Sequence, residues 1–346
     1  MSRIATIVLS MAILYPMLGK AREECALAKV CFRVVDQDGV IISDAKIWGG
    51  FTAGNFKTDY TLVNGATNTN GEYVAQGKCN EFLRVDVTKE GYYHTEVKIF
   101  FNQSKARPIV ANGKWQPYGE MRTVVLKKIK NPVRVSASEG LIYYKYPPQG
   151  KWTGFDLCRR DWVYPDGSGE FPDVSIRIDR EATSEGYVKT MEVAFTNNPF
   201  AGAYEMPVDA YSDLRSSYEA NTNASFSGVL KYVFKRGKNG NERTELAKGK
   251  YLVFRTRTNV DVKGNLASAH YGMIFGNWRF CEKGGMAIEK IVFNPIPNDP
   301  NLEDAETARR SSQMWGTPSG VAQTEPFWTS SGFASLLSVG KAWVRE

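Results

Sequence analysis

The sequence predicts an all-β protein of two β-sandwich domains, with a short helix and an irregular C-terminal tail. Three observations predict it. Short runs of β-branched and aromatic residues recur along the chain, Gly-, Asn- and Asp-bearing turn signals separate them, and long helical heptads are missing. A length of 346 residues suits two domains, each able to bury its own core.

Residues 1–21 open with Arg3, pass through an apolar run over 4–18 and end in Gly19-Lys20-Ala21, with small residues where a signal peptidase cuts. Ser10 and Pro16 interrupt the run, which is shorter than the roughly 20 residues of a spanning helix. The expectation is a cleaved export signal and no integral membrane segment after it, hence a periplasmic, extracellular or cell-surface protein. The formal charge is +7, and removing Arg3 and Lys20 leaves about +5. The basic residues are dispersed rather than gathered into a stripe that would track phosphates, which argues against nucleic-acid binding.

The first domain is expected over 25–128. Apolar residues flank the turn Asp36-Gln37-Asp38-Gly39, and further strands follow Asn70-Gly71 and run through 83–88. Residues 48–63, with Gly49, Gly50, Gly54 and Asn55, suit a long loop at one end of the sandwich. Strands over 96–101 and 122–127 close the domain, and 128–132 reads as a linker because Pro132 cannot donate to a sheet ladder. The second domain is expected over 132–298, with strands at 173–178, 190–195, 228–234 and 251–258 and turns at Asn239-Gly240 and Gly264-Asn265. Residues 294–300 read as the end of the packed part. Within 299–346, 302–313 suits a helix capped by Asn301, and Trp315, Phe327 and Trp328 would dock the tail on the body.

All five cysteines lie beyond the signal, so export permits disulfides. Cys31 with Cys79 and Cys158 with Cys281 are the pairings to test first, which leaves Cys25 free; the alternative is that Cys25 takes one of the partners.

The runs Val34-Val35-Asp36-Gln37-Asp38-Gly39, Thr69-Asn70-Gly71-Glu72-Tyr73 and Val85-Asp86-Val87-Thr88-Lys89-Glu90-Gly91-Tyr92-Tyr93 resemble the carboxypeptidase regulatory-like domain. That resemblance covers under a third of the chain and implies that the first domain is an Ig-like, transthyretin-like sandwich, without the zinc ligands or catalytic carboxylate of a carboxypeptidase. The stretch from Arg160-Asp161-Trp162 to Glu170 is similar to the C-terminal part of uncharacterised exported bacterial proteins with such a front domain; no activity travels with that likeness.

Residues 156–173 are the most chemical-looking stretch. Asp161, Asp166 and Glu170 surround Gly167 and Gly169, a composition that supplies oxygens to Ca2+ or simply builds a solvated turn. The two histidines, His94 and His270, lie on strand-like segments with no nucleophile elbow or zinc motif beside them, and read as surface or sheet-face residues. Tyr144, Trp152, Trp162 and Tyr164, with Tyr143 and Tyr146, offer flat faces for sugar rings or packing between domains. Together these features lead to an exported non-catalytic binding or structural module that recognises a glycan or another cell-surface protein. The competing reading is a carbohydrate-active hydrolase with an unmarked carboxylate pair.

Overall fold

The computed structural model describes residues 25–52, 60–80, 82–101, 110–138, 141–145, 147–196, 200–238, 240–243, 249–276, 278–281 and 285–316. The segment expected to be an export signal, Tyr146 and the aromatic residues Phe327 and Trp328 lie outside them. The chain is all-β: antiparallel ladders dominate, and among the described residues one helix spans Ala305–Gly316.

The strand Ala26–Asp36 buries every second side chain, from Ala26 through Phe32 and Val34, because a period of two puts them all on one face. It pairs antiparallel with Glu72–Cys79 and parallel with Glu120–Leu126. Across the core lies a four-stranded sheet in the order Tyr60–Ala66, Lys46–Thr52, Phe82–Thr88, Thr95–Phe100. Ile47, Phe51, Val85 and Leu126 are fully buried between the sheets.

The long loop expected over 48–63 is corrected: Lys46–Thr52 and Tyr60–Ala66 are paired strands there. Gly50 does not break the ladder, because its bare backbone is filled by a neighbour. A Cβ on Gly50 would stand 2.2 Å from Cζ of Tyr60.

In the second body a six-stranded sheet runs Asp161–Trp162, Thr153–Asp156, Val174–Thr183, Gly186–Phe195, Val229–Gly237, Gly240–Arg243. It faces a five-stranded sheet ordered Ser136–Ala137, Lys290–Phe293, Leu266–Phe275, Lys250–Val260, Gly202–Pro207. Phe155, Ile176, Met191, Phe254, Ile274 and Phe293 fill the space between. Tyr251, Val253, Tyr271 and Met273 cover the other side of the five-stranded sheet and pack with Leu302. Both faces of Lys250–Val260 are therefore covered, which is why its first half is buried continuously instead of alternating.

Asn294 and residues 301–304 are buried against the body, with the exposed residues 295–298 between them. The Asn294 amide donates to the backbone carbonyls of Asp299 and Asn301, and the Glu303 carboxylate accepts from the backbone amides of Lys130 and Asn131 and from the Tyr93 hydroxyl. The helix begins at Ala305, so its cap is Asp304, whose Oδ1 accepts the Glu306 amide; Asn301 instead serves the amide of Glu303.

His94, expected on a surface or sheet face, is buried where the two bodies meet. Its Nε2 lies 2.9 Å from Asp86 Oδ1 and its Nδ1 3.2 Å from Asp213 Oδ1, while Asp213 Oδ2 accepts from the Ser311 hydroxyl of the helix. Burial lowers the imidazole pKa, but the carboxylates of Asp213 and Asp86 outweigh it and raise the group to about 9. A histidine raised in the folded state stabilises fully below its ordinary value near 6.5, and that contribution is lost as pH rises through about 9. Melting curves from pH 6 to 10 should show the native chain losing up to about 3 kcal/mol more than His94→Gln over that window. Parallel pH profiles for the two proteins would exclude a charged clasp.

Candidate functional site

Residues 156–173 leave the strand Thr153–Asp156, return through Asp161–Trp162 and re-enter the sheet at Val174. The three carboxylates expected to gather there are employed separately or exposed. Asp161 Oδ1 accepts the Trp162 amide, and its Oδ2 accepts both the amide and the hydroxyl of Ser168. Glu170 pairs with Arg159, and Asp166 is exposed. Among the described residues no three His, Cys, Asp or Glu side chains gather as a metal set.

The buried carboxylates are the two at the ends of the segment. Asp173 is fully buried: Oδ1 accepts from Thr256 Oγ1 at 3.0 Å and Arg257 Nε at 2.9 Å, and Oδ2 accepts from the Leu157 amide and Arg257 Nη2. Asp156 Oδ1 accepts from Arg257 Nη2 and the amides of Cys158 and Arg159, and its Oδ2 from the amides of Glu170 and Phe171. The Arg257 guanidinium thus stands between the two buried carboxylates.

Burial pushes both carboxyls up. In Asp173 burial prevails over Arg257, whereas in Asp156 the ring of backbone amides, with Arg257, brings the group below the usual carboxylate range. Both are committed to Arg257 and to the loop, so neither stands ready as acid or base toward a ligand.

Arg257 reaches them because the hairpin ladder is irregular there. Pairing runs to Thr256 opposite His270 and resumes at Asn259 opposite Ser268, so Arg257 and Thr258 stand against Ala269 alone. Arg257 takes φ 50°, a left-handed conformation uncommon for a residue with a side chain. The bulge turns its side chain inward, where the Phe171 and Phe293 rings flank it at 4.9 and 4.7 Å. His270 stacks on Phe293, and burial followed by the charge of Arg257 lowers its pKa.

The aromatic residues expected to form one platform separate into two groups. Trp162 and Tyr144 both meet Phe155 edge-on, at 5.3 and 5.1 Å, and Trp162 is only 6% exposed; these two are packing residues of the core. Trp152 and Tyr164 face outward, 42% and 84% exposed. Arg177 lies 4.9 Å from the Trp152 ring, and its Nη2 donates to Glu192, which also pairs with Lys231. Arg177 is opposite Glu192, and Glu192 opposite Lys231, so these polar groups form a row across adjacent strands of the outer face.

The expected disulfides are absent. Cys31 lies opposite Val74 and Cys79 opposite Ala26, five ladder positions or about 17 Å apart, beyond the roughly 7 Å that a disulfide spans. Cys158 sits among Asp156, Asp173 and Arg257, whereas Cys281 lies opposite Gly285 near Lys189; neither pair is bonded. Burial pushes the Cys158 thiol up, toward its less nucleophilic form.

Sequence reasoning bounded its segment at Asp156 and Asp173 but read Arg257 as an ordinary strand residue. The available signal was the pair of arginines, Arg255 and Arg257, that follows the apolar run Tyr251-Leu252-Val253-Phe254.

No protein-family model and no curated protein matches the chain. Among solved structures, 3-chlorocatechol 1,2-dioxygenase from Rhodococcus opacus 1CP aligns at 15% identity over 32% of this chain and 63% of its own, with a TM-score of 0.25. A candidate carbohydrate binding protein from Bacteroides uniformis ATCC 8492 aligns at 10% identity over 77% of this chain and 97% of its own (TM-score 0.18), and BcpA, the major pilin subunit of Bacillus cereus, at 12% over 76% and 95% (TM-score 0.19). This chain therefore spans less than two thirds of the dioxygenase. Similarity at these TM-scores assigns neither family nor activity, and the resemblance to the regulatory-like domain rests on the sequence motifs alone. No helix among the described residues is long and apolar enough to cross a membrane.

Proposed function

We propose that the chain is an exported, non-catalytic module that binds carbohydrate on the outer face of the six-stranded sheet of its second body. The observation that carries this reading is Trp152: a half-exposed indole with Arg177 at its face, at one end of a row of hydrogen-bonding side chains. Flat aromatic faces pack against the C–H faces of sugar rings, and the neighbouring Arg177, Glu192 and Lys231 supply donors and acceptors for hydroxyls. Tyr164 is exposed in the turn that follows Trp162, while Tyr144 and Trp162 pack on Phe155 in the core.

A glycan array probed with the full mature chain tests the reading, with Trp152→Ala as the variant. Binding should weaken about tenfold or more, while stability shifts by under about 1 kcal/mol, as for an exposed side chain whose main contact is one cation–π pair. Unchanged binding in the variant, or an array without a specific ligand, would remove this face from consideration.

A further inference from the structure

A second site opens on the five-stranded sheet, where the bulge at Arg257 leaves a hollow of about 570 Å³, within the range of small-molecule sites. Phe171, Arg257, Thr258, Asn259, Ser268 and His270 lie along it. From these groups we infer that the hollow receives one sugar ring or a comparable small polyol, independently of the Trp152 face.

Three observations converge on it. Arg257 is anchored through Nε and Nη2 by two buried carboxylates and held between two aromatic rings, and Nη1 is the guanidinium nitrogen that neither carboxylate uses. A donor fixed this way costs little to order when a ligand arrives. Next, His270 Nδ1 and Thr258 Oγ1 are buried without a hydrogen-bond partner, and such atoms are usually satisfied by water or ligand. Lastly, Asn259 Nδ2 donates to Ser268 Oγ at 3.0 Å, which leaves the Asn259 amide oxygen to accept and the Ser268 hydroxyl to donate.

Mixed donors and acceptors select the ligand class. An anion accepts hydrogen bonds but offers none to the Asn259 oxygen or to a neutral imidazole, and it would approach two carboxylates that share a single guanidinium. A polyol hydroxyl does both, and the exposed edge of Phe171 provides an apolar wall for the ring carbons. A metal ion would meet the positive charge of Arg257 instead of a ligand set.

The test is ligand-observed NMR titration of the full mature chain with a panel of neutral monosaccharides and inositol, and with acetate and inorganic phosphate as anions. Saturable binding of at least one polyol is expected, weakened about tenfold in Asn259→Ala and in Ser268→Ala, as loss of a directed hydrogen bond predicts. Melting temperatures of both variants should match the native chain, since these side chains sit at the edge of the hairpin. Absence of saturable polyol binding, binding insensitive to both variants, or saturation by the anions alone would overturn the assignment. Loss of polyol binding in Trp152→Ala, with Asn259→Ala unaffected, would assign the ligand to the other face and likewise overturn it.

Discussion

Replacing Arg257 with Ala should destabilise the protein by about 3–5 kcal/mol, measured by urea unfolding, because it strands buried carboxylates without their cation. Asp173 is fully buried and Asp156 nearly so, and both hold the same guanidinium. The change also removes the filling between Phe171 and Phe293. Arg257→Lys should restore only part of the loss, since an ammonium is a compact donor that does not reproduce the fork meeting Asp173 through Nε and Nη2. In the double variant Arg257→Met, Asp173→Asn the penalty should be well below the sum of the single changes, which marks direct coupling. A loss under about 1 kcal/mol in Arg257→Ala would mean that the clasp contributes nothing net.

Trp162→Ala should cost about 3–5 kcal/mol, the usual range for removing a large buried aromatic side chain. Trp162 is 6% exposed and meets Phe155, whose ring also contacts Tyr144 and Trp278, so truncation opens a cavity at the centre of an aromatic cluster. The contrast with Trp152→Ala is the sharper result. Both residues sit in one stretch of sequence, yet one should report on stability and the other on binding. Equal melting temperatures for the two variants would contradict the burial difference on which the division rests.

Much of the fold was legible beforehand because its signals are local. The strand expected over 122–127, whose Val124 and Leu126 are buried, and the Asp36–Gly39 turn follow from side chains projecting alternately and from glycine accepting φ 79°. The hairpin at 46–66 was missed because Gly49-Gly50 reads as loop chemistry, while the Tyr60 ring that fills the bare backbone comes from the neighbouring strand. Asp304 as helix cap, in place of Asn301, moved the start of the helix by one turn, a decision made where Asn301 turns its oxygen to Glu303.

The sequence alone determined the β class, the strand-forming runs with their turns, and the dispersed charge, because each depends on residues close in the chain. Tertiary structure decided which carboxylates in 156–173 are buried, which tryptophan faces out, and where His94 and Arg257 find their partners. Asp173 and Arg257 are 84 positions apart, and His94 and Asp213 are 119 apart. No periodicity of 2 or 3.6 residues carries information over such distances. The deciding quantity is the cost of burying an unpaired charge, which is incurred only when the sheets close and is then met by whichever counter-charge the fold brings within reach.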